Sequence, residues 1–121
     1  MLFPRRSFIT SFMKWMTVEG FEVSELFVEQ FVLGLKNFRL RPYLRVLPTT
    51  FTDDELRQIE ADTLLLIGEK EAIYTAGEAV KRAKQHIQSI EAEVVANASH
   101  GLPMERPELV NGRILSFLNQ K

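Results

Sequence analysis

Glu71 and His100 are the residues whose type and place best suit chemistry. Each follows a stretch that reads as a buried strand, Glu71 within Gly68-Glu69-Lys70-Glu71 and His100 within Asn97-Ala98-Ser99-His100-Gly101. The C-terminal ends of parallel strands are where open α/β sheets place their ligand sites. The two residues stand 29 positions apart, the length of one crossover helix plus one strand, so neighbouring parallel strands would bring both loops to one sheet edge. A carboxylate there can accept a hydrogen bond from one imidazole nitrogen. That fixes the tautomer and supports the imidazolium formed when the other nitrogen takes a proton from a nucleophile. Glu69 competes as the acid. The plainer alternative makes both glutamates solvated loop carboxylates and His100 a turn residue.

The elements that must position this pair can be read from periodicity. Thr63-Leu64-Leu65-Leu66-Ile67 is a continuous apolar run stopping at Gly68, as expected of a strand covered on both faces. Ala76, Ala79, Val80, Ala83 and Ile87 mark one face of a helix whose other face carries Lys81, Arg82 and Lys84 and leaves His86 at the surface. Ile90, Ala92 and Val94 alternate with Glu91 and Glu93 and run into Val95 and Ala96, a second strand ahead of the polar stretch Asn97 to Gly101. Pro107 opens a last helix bearing Val110, Ile114, Phe117 and Leu118. Strand, helix, strand, helix implies parallel strands with a right-handed crossover. Two strands alone would leave a backbone edge and apolar faces open.

The front of the chain reads differently. Phe8, Ile9, Phe12, Met13 and Met16 fall at helical spacing, and Ser24 caps a second helix with Phe27, Phe31, Leu35 and Phe38 on one face. Pro42 and Pro48, with Arg39, Arg41 and Arg45, mark an irregular connection whose cations are expected to be solvated or paired rather than phosphate-binding. Thr52 or Asp53 caps a short helix reaching Ile59, with Asp53, Asp54 and Glu55 near its positive end. The boundary near Asp62 divides a helical region, residues 1–60, from an α/β unit, residues 61–121.

At this point a resemblance becomes specific. The run from Thr63 to Glu71, a helix, a strand, then Ser99-His100-Gly101-Leu102-Pro103-Met104-Glu105-Arg106-Pro107-Glu108 and a terminal helix resembles the C-terminal end of the α/β-hydrolase superfamily. Acid before histidine agrees with that family's order of nucleophile, acid, histidine. The resemblance implies an α/β fold of partial α/β-hydrolase type, with Glu71 as the triad acid and His100 as the base. It implies that the front half is similar to the helical cap such proteins lay over their site. The sequence departs from the family in lacking a proline at Asp62 and an Asp-Pro pair near Thr75 and Ala76, which keeps Glu69 in contention.

The family's serine sits in a Gly-x-Ser-x-Gly elbow between strand and helix, and no such motif occurs. In Asn97-Ala98-Ser99-His100-Gly101 asparagine replaces the first glycine, Pro103 follows closely, and no helix is expected before about Pro107. Ser99 is therefore not expected to be the nucleophile, being also adjacent in sequence to the base it would need to face.

Composition closes other routes. The 121 residues are 45% hydrophobic and 26% charged, enough for one domain or part of one. Fifteen basic against 16 acidic residues leave a net charge of −1, so no nucleic-acid or anionic-membrane partner is expected. Arg5, Arg6, Lys14 and Glu19 interrupt the most apolar stretch well short of a membrane span. The first residues, basic and rich in hydroxyls, superficially match an organelle-targeting peptide, but a packed helix is the expectation. Without cysteine there is no disulfide or thiolate chemistry, and a cytoplasmic location is expected. Two histidines without an HExxH cluster, acids without calcium-loop spacing and six scattered glycines imply no metal and no cofactor. The expected function is that of the acid-and-histidine portion of an esterase-like serine hydrolase, inactive by itself. Its substrate would be small, apolar and ester-like, seated near Phe8, Phe12, Met13, Trp15 and Phe31 once an N-terminal hydrolase half is supplied. The alternative is a non-catalytic module that binds a partner or forms a homo-oligomer.

Overall fold

The computed structural model describes residues 5–37 and 49–120. Phe38, Arg39, Arg41, Pro42, Arg45 and Pro48 lie outside the described residues, so the expectations for that connection do too.

The element order is α1 (Arg6–Met16), α2 (Glu25–Asn37), α3 (Asp53–Arg57), β1 (Thr63–Lys70), α4 (Ala76–His86), β2 (Ile90–Ser99), α5 (Leu102–Glu105) and α6 (Pro107–Leu118). β1 and β2 pair in parallel, as the alternation of strand and helix requires. Side-chain alternation then sorts their residues onto two faces. On one face Leu65, Ile67, Ile90 and Ala92 meet Ala76, Ala79 and Val80 of α4. On the other, Leu66, Val95 and Ala98 meet Leu102 of α5 and Val110 of α6. Glu91 and Glu93 share that second face at its polar rim, where Arg113 of α6 binds both, at 3.3 and 3.1 Å. Helices thus cover both sides of the sheet.

Both strands run further than their apolar cores suggest. β1 continues past Gly68 to Lys70, and β2 carries through the polar Asn97 to Ser99. β1 is also less enclosed than a doubly covered strand, with Leu64, Leu65 and Leu66 half-buried. Among the described residues β1 has a strand neighbour on one edge only.

α1 and α2 pack on each other through Ile9, Met13 and Val28, with Val23, Phe27 and Val32 around them. Ser24 caps α2 as its type predicts, its hydroxyl accepting from Phe27 N at 3.2 Å. The buried faces differ from expectation. Val28, not the stripe through Phe31 and Leu35, faces α1, and Phe8, Phe12 and Trp15 stay open to solvent. In α6 only Val110 is buried, while Ile114 and Leu118 are exposed. Among the described residues no helix is long and apolar enough to cross a membrane.

α3 begins with a reciprocal capping box: Thr52 Oγ1 accepts from Glu55 N, and the Glu55 carboxylate accepts from Thr52 N at 2.7 Å. It is held to α4 by Asp53, whose Oδ1 accepts from Arg82 Nε at 2.9 Å and Nη2 at 2.8 Å. His86 belongs to the same cluster and corrects the expectation of a surface residue. Its side chain is 16% exposed, with Nε2 3.5 Å from Asp53 Oδ2, and its buried Nδ1 has no hydrogen-bond partner among the described residues.

The Arg82 hydrogen bond, against a smaller opposing effect of desolvation, holds the Asp53 carboxyl below its ordinary 3.8. A group depressed on folding stabilises the protein above its unfolded value and loses that contribution as pH falls through the folded one. The stability difference between wild type and Asp53→Asn should therefore shrink as pH falls below the ordinary carboxylate value and through the lower folded one. Urea titrations at stepped pH check this, and a difference that grows on acidification would contradict the assignment. The effect is small because the pair is solvent-exposed.

Candidate active site

Glu71 lies one residue beyond β1, in a turn closed by its own N–H donating to Gly68 O at 3.1 Å. His100 lies one residue beyond β2. Pairing sets them opposite each other by way of an irregularity. From Thr63↔Ile90 to Gly68↔Val95 the register is constant, but Lys70 pairs with Ser99, so β2 accommodates two more residues than β1 over that interval. Asn97, at φ 53°, takes the left-handed conformation inside this bulge, one that asparagine tolerates better than most residues.

Glu69 is spent on the bulge, its Oε2 accepting from Asn97 N at 3.0 Å. Glu71 instead meets the histidine: His100 Nδ1 is 3.0 Å from Oε1 and 2.9 Å from Oε2. Glu71 Oε1 also accepts from Ile73 N at 2.9 Å, which aims the carboxylate. The Glu71 side chain is only 4% exposed while that of His100 is 37% exposed, so the acid is sheltered and the imidazole presented. A carboxylate facing Nδ1 requires the proton on Nδ1 in the neutral ring and leaves Nε2 as acceptor. Among the described residues Nε2 has no hydrogen-bond partner. Nearby, partial burial foremost and the Glu71 charge second raise the Tyr74 phenol above its ordinary value, keeping it neutral.

Ser99, not expected to be a nucleophile, is buried with its hydroxyl engaged. It is 2% exposed, and its Oγ lies 2.7 Å from both Met16 O and Glu105 Oε1. The expectation that no helix starts before Pro107 does need correcting, since α5 forms one turn from Leu102. That turn turns Glu105 back onto Ser99. Glu105 was missed in the sequence because its partners, Ser99 and Val18, lie 6 and 87 positions away; only its setting among chain-reversing residues, Pro103 and Pro107, hinted at a local role.

The apolar residues expected around a substrate separate into two groups. Met13 is a core residue at 5% exposure beneath α2, a correction, whereas Phe8, Phe12, Trp15 and Phe31 remain exposed. Phe12 and Trp15 pair with ring centroids 6.0 Å apart. Among the described residues no three His, Asp or Glu side chains gather as a metal site would require.

No family model matches the sequence. The chain is 40% identical over 112 residues to carboxylesterase YbfK of Bacillus subtilis (strain 168), an alignment taking in 89% of this chain and 38% of that protein. It is 38% identical over 115 residues to the uncharacterized carboxylesterase nap of the same organism, covering 92% of this chain and 38% of the relative. The crystal structure of carboxylesterase CesB (YbfK) from Bacillus subtilis superposes with a TM-score of 0.85 at 38% identity, over 96% of this chain and 42% of the other. A serine hydrolase involved in carbazole degradation shares the fold at a TM-score of 0.77 and 15% identity, over 97% of this chain and 48% of the other. The chain thus spans about two fifths of the length of the carboxylesterases it matches. Sequence kinship along almost the whole chain and a shared parallel strand-helix-strand core lead to one conclusion: this chain belongs to the α/β-hydrolase superfamily and corresponds to the C-terminal part of its fold.

Proposed function

We propose that the chain supplies the acid and base of a serine carboxylesterase, with Glu71 orienting His100. The Nδ1 hydrogen bond to a sheltered carboxylate, on a histidine whose side chain is itself 37% exposed, is the observation that carries this reading. Kinship to carboxylesterases supports ester chemistry. Since the sequence contains no Gly-x-Ser-x-Gly elbow, the serine and the oxyanion donors come from the part of a hydrolase these 121 residues do not span. His100 Nε2 takes the serine proton as the serine oxygen adds to the ester carbonyl. The resulting imidazolium, steadied by Glu71, returns the proton to the departing alcohol. Water repeats the sequence, and the acid is released. Residues 1–60 act as a cap, their exposed Phe8, Phe12 and Trp15 contributing to an apolar acyl or alcohol pocket.

The second reading, a binding or self-association module, draws support from the open edge of β1 and the exposed Ile114, Leu115 and Leu118 of α6. One experiment separates the two. The chain replaces the corresponding segment of YbfK, and the chimera is assayed with an activated short-chain ester while the chain alone is sedimented and assayed in parallel. The enzymatic reading expects turnover by the chimera and background activity from the chain alone, whereas the module reading expects a stable dimer or larger species of the chain alone and no turnover by either. A folded chimera with no turnover sinks the enzymatic reading and leaves the module reading.

A further inference from the structure

The turn carrying His100 is fastened from both sides to the exit of α1. On the side of Ser99 the fastening is Glu105: its Oε2 accepts from Ser99 N at 2.6 Å, its Oε1 accepts from Val18 N at 2.7 Å, and the Ser99 hydroxyl lies 2.7 Å from the same Oε1. On the side of Gly101 it is Met16, whose carbonyl accepts from Gly101 N at 2.9 Å. The fit is tight, because a Cβ on Gly101 would stand 2.9 Å from Thr17 Cγ2 and 3.3 Å from Glu105 Oε1. A carboxylate suits this place. It presents two acceptor oxygens and no donor, so it can take N–H groups from two segments at once, each by a charge-assisted bond. The residues on either side of His100 are therefore both tied to the stretch that ends α1.

We propose that Glu105 is a positioning residue that couples the α1 segment to the His100 imidazole. With the clasp closed, the Ser99–Gly101 backbone is fixed against α1, and Nδ1 is held on Glu71. With it open, the turn moves with its own fluctuations, Nδ1 is only intermittently bonded, and the direction of Nε2 is lost. The helical segment that covers the site thus also sets the base. The catalytic consequence rests on the esterase reading, but the coupling itself is a property of this chain and is measured without ester or nucleophile.

The test is the tautomer and proton exchange of His100 in the 121-residue chain, read by long-range nitrogen-proton correlation. The only other histidine, His86, is assigned with His86→Gln. In the wild type, His100 should be the Nδ1–H tautomer with a slowly exchanging proton. Glu105→Gln replaces one acceptor oxygen by a donor and should leave one backbone N–H unpaired. Exchange at Nδ1 should quicken on the order of tenfold, the scale of one lost charge-assisted hydrogen bond, and the Nε2–H tautomer should become visible. Glu108→Gln, at the exposed start of α6, should change neither signal. Glu105→Asp is the second variant in case the glutamine form does not fold. Its shorter carboxylate cannot span Ser99 N and Val18 N together, and exchange should fall between the other two. Wild-type tautomer and exchange in either folded variant overturn the proposal. An inactive YbfK chimera alongside loosened exchange in Glu105→Gln would count against the esterase reading and leave the coupling standing.

Discussion

Gly68→Ala is expected to cost about 2–4 kcal/mol and to pull His100 off Glu71, because the bulge in β2 passes directly over Gly68. A Cβ added at this position would stand 2.4 Å from Ser99 O and 2.6 Å from both Ala98 C and Ala98 O. These are backbone atoms of a paired strand, so relief requires moving the strand and not merely turning a side chain. The strand cannot shift cheaply. Ala98 is fully buried against Val95, Leu102 and Val110, and Ser99 is bonded to Glu105 and Met16. The same two residues deliver His100. Urea unfolding should show the midpoint falling by roughly 1 M or more, and the Nδ1–H signal of His100 should broaden or vanish. Gly112→Ala in α6 is the contrast. Nothing lies within 4 Å of its added Cβ, and replacing a mid-helix glycine by alanine should leave stability unchanged or raise it by up to about 1 kcal/mol. A Gly68→Ala protein with wild-type midpoint and an intact Nδ1–H signal would mean that the bulge does not govern the pair.

That bulge marks the limit of what the sequence discloses. Strand β1, helix α4 and the start of β2 were legible because each has one dominant burial constraint and hence a clean period: Leu64 to Ile67 without polar interruption, Ala76, Val80 and Ala83 on one face, Ala92 between Glu91 and Glu93. Two loops at the ends of adjacent parallel strands followed from topology. Whether Glu69 or Glu71 would meet His100 did not, since the answer depends on two extra residues in β2 and a left-handed Asn97. No side-chain period encodes such an irregularity. The face of α2 was misread for a different reason. Leu26, Phe27, Val28, Phe31, Val32, Leu33 and Leu35 encircle it, so periodicity cannot choose, and the choice of Val28 is made by α1. α5 spans only four residues, too few to display a helical period. His86 sits on the polar side of α4 yet is mostly covered, with α3 bringing Asp53 across to it.

Glu71→Gln should lower kcat of the esterase chimera by about three to four orders of magnitude with little change in KM, the loss expected when the group that orients the base can no longer fix its tautomer. Glu71 accepts at both oxygens, from Ile73 N and from His100 Nδ1. Glutamine keeps the shape but must offer an NH2 at one of those places. If the amide satisfies Ile73 with its oxygen, the NH2 faces His100 and donates to Nδ1, which moves the ring proton to Nε2. A protonated Nε2 on a neutral ring cannot accept a proton from serine, so the base is present but in the wrong form. Correlation spectra of the variant chain should accordingly show the Nε2–H tautomer. His100→Ala removes the base outright and should lose about as much or more. The double variant should be no worse than His100→Ala alone, since residues acting as one unit are not additive. Glu69→Gln decides the competing assignment. Its carbonyl can still accept from Asn97 N, so activity should stay within about tenfold of the parent chimera, the loss of at most one charge-assisted bond. A folded Glu71→Gln chimera that keeps most of its activity, paired with a collapse in Glu69→Gln, would transfer the role of acid to Glu69.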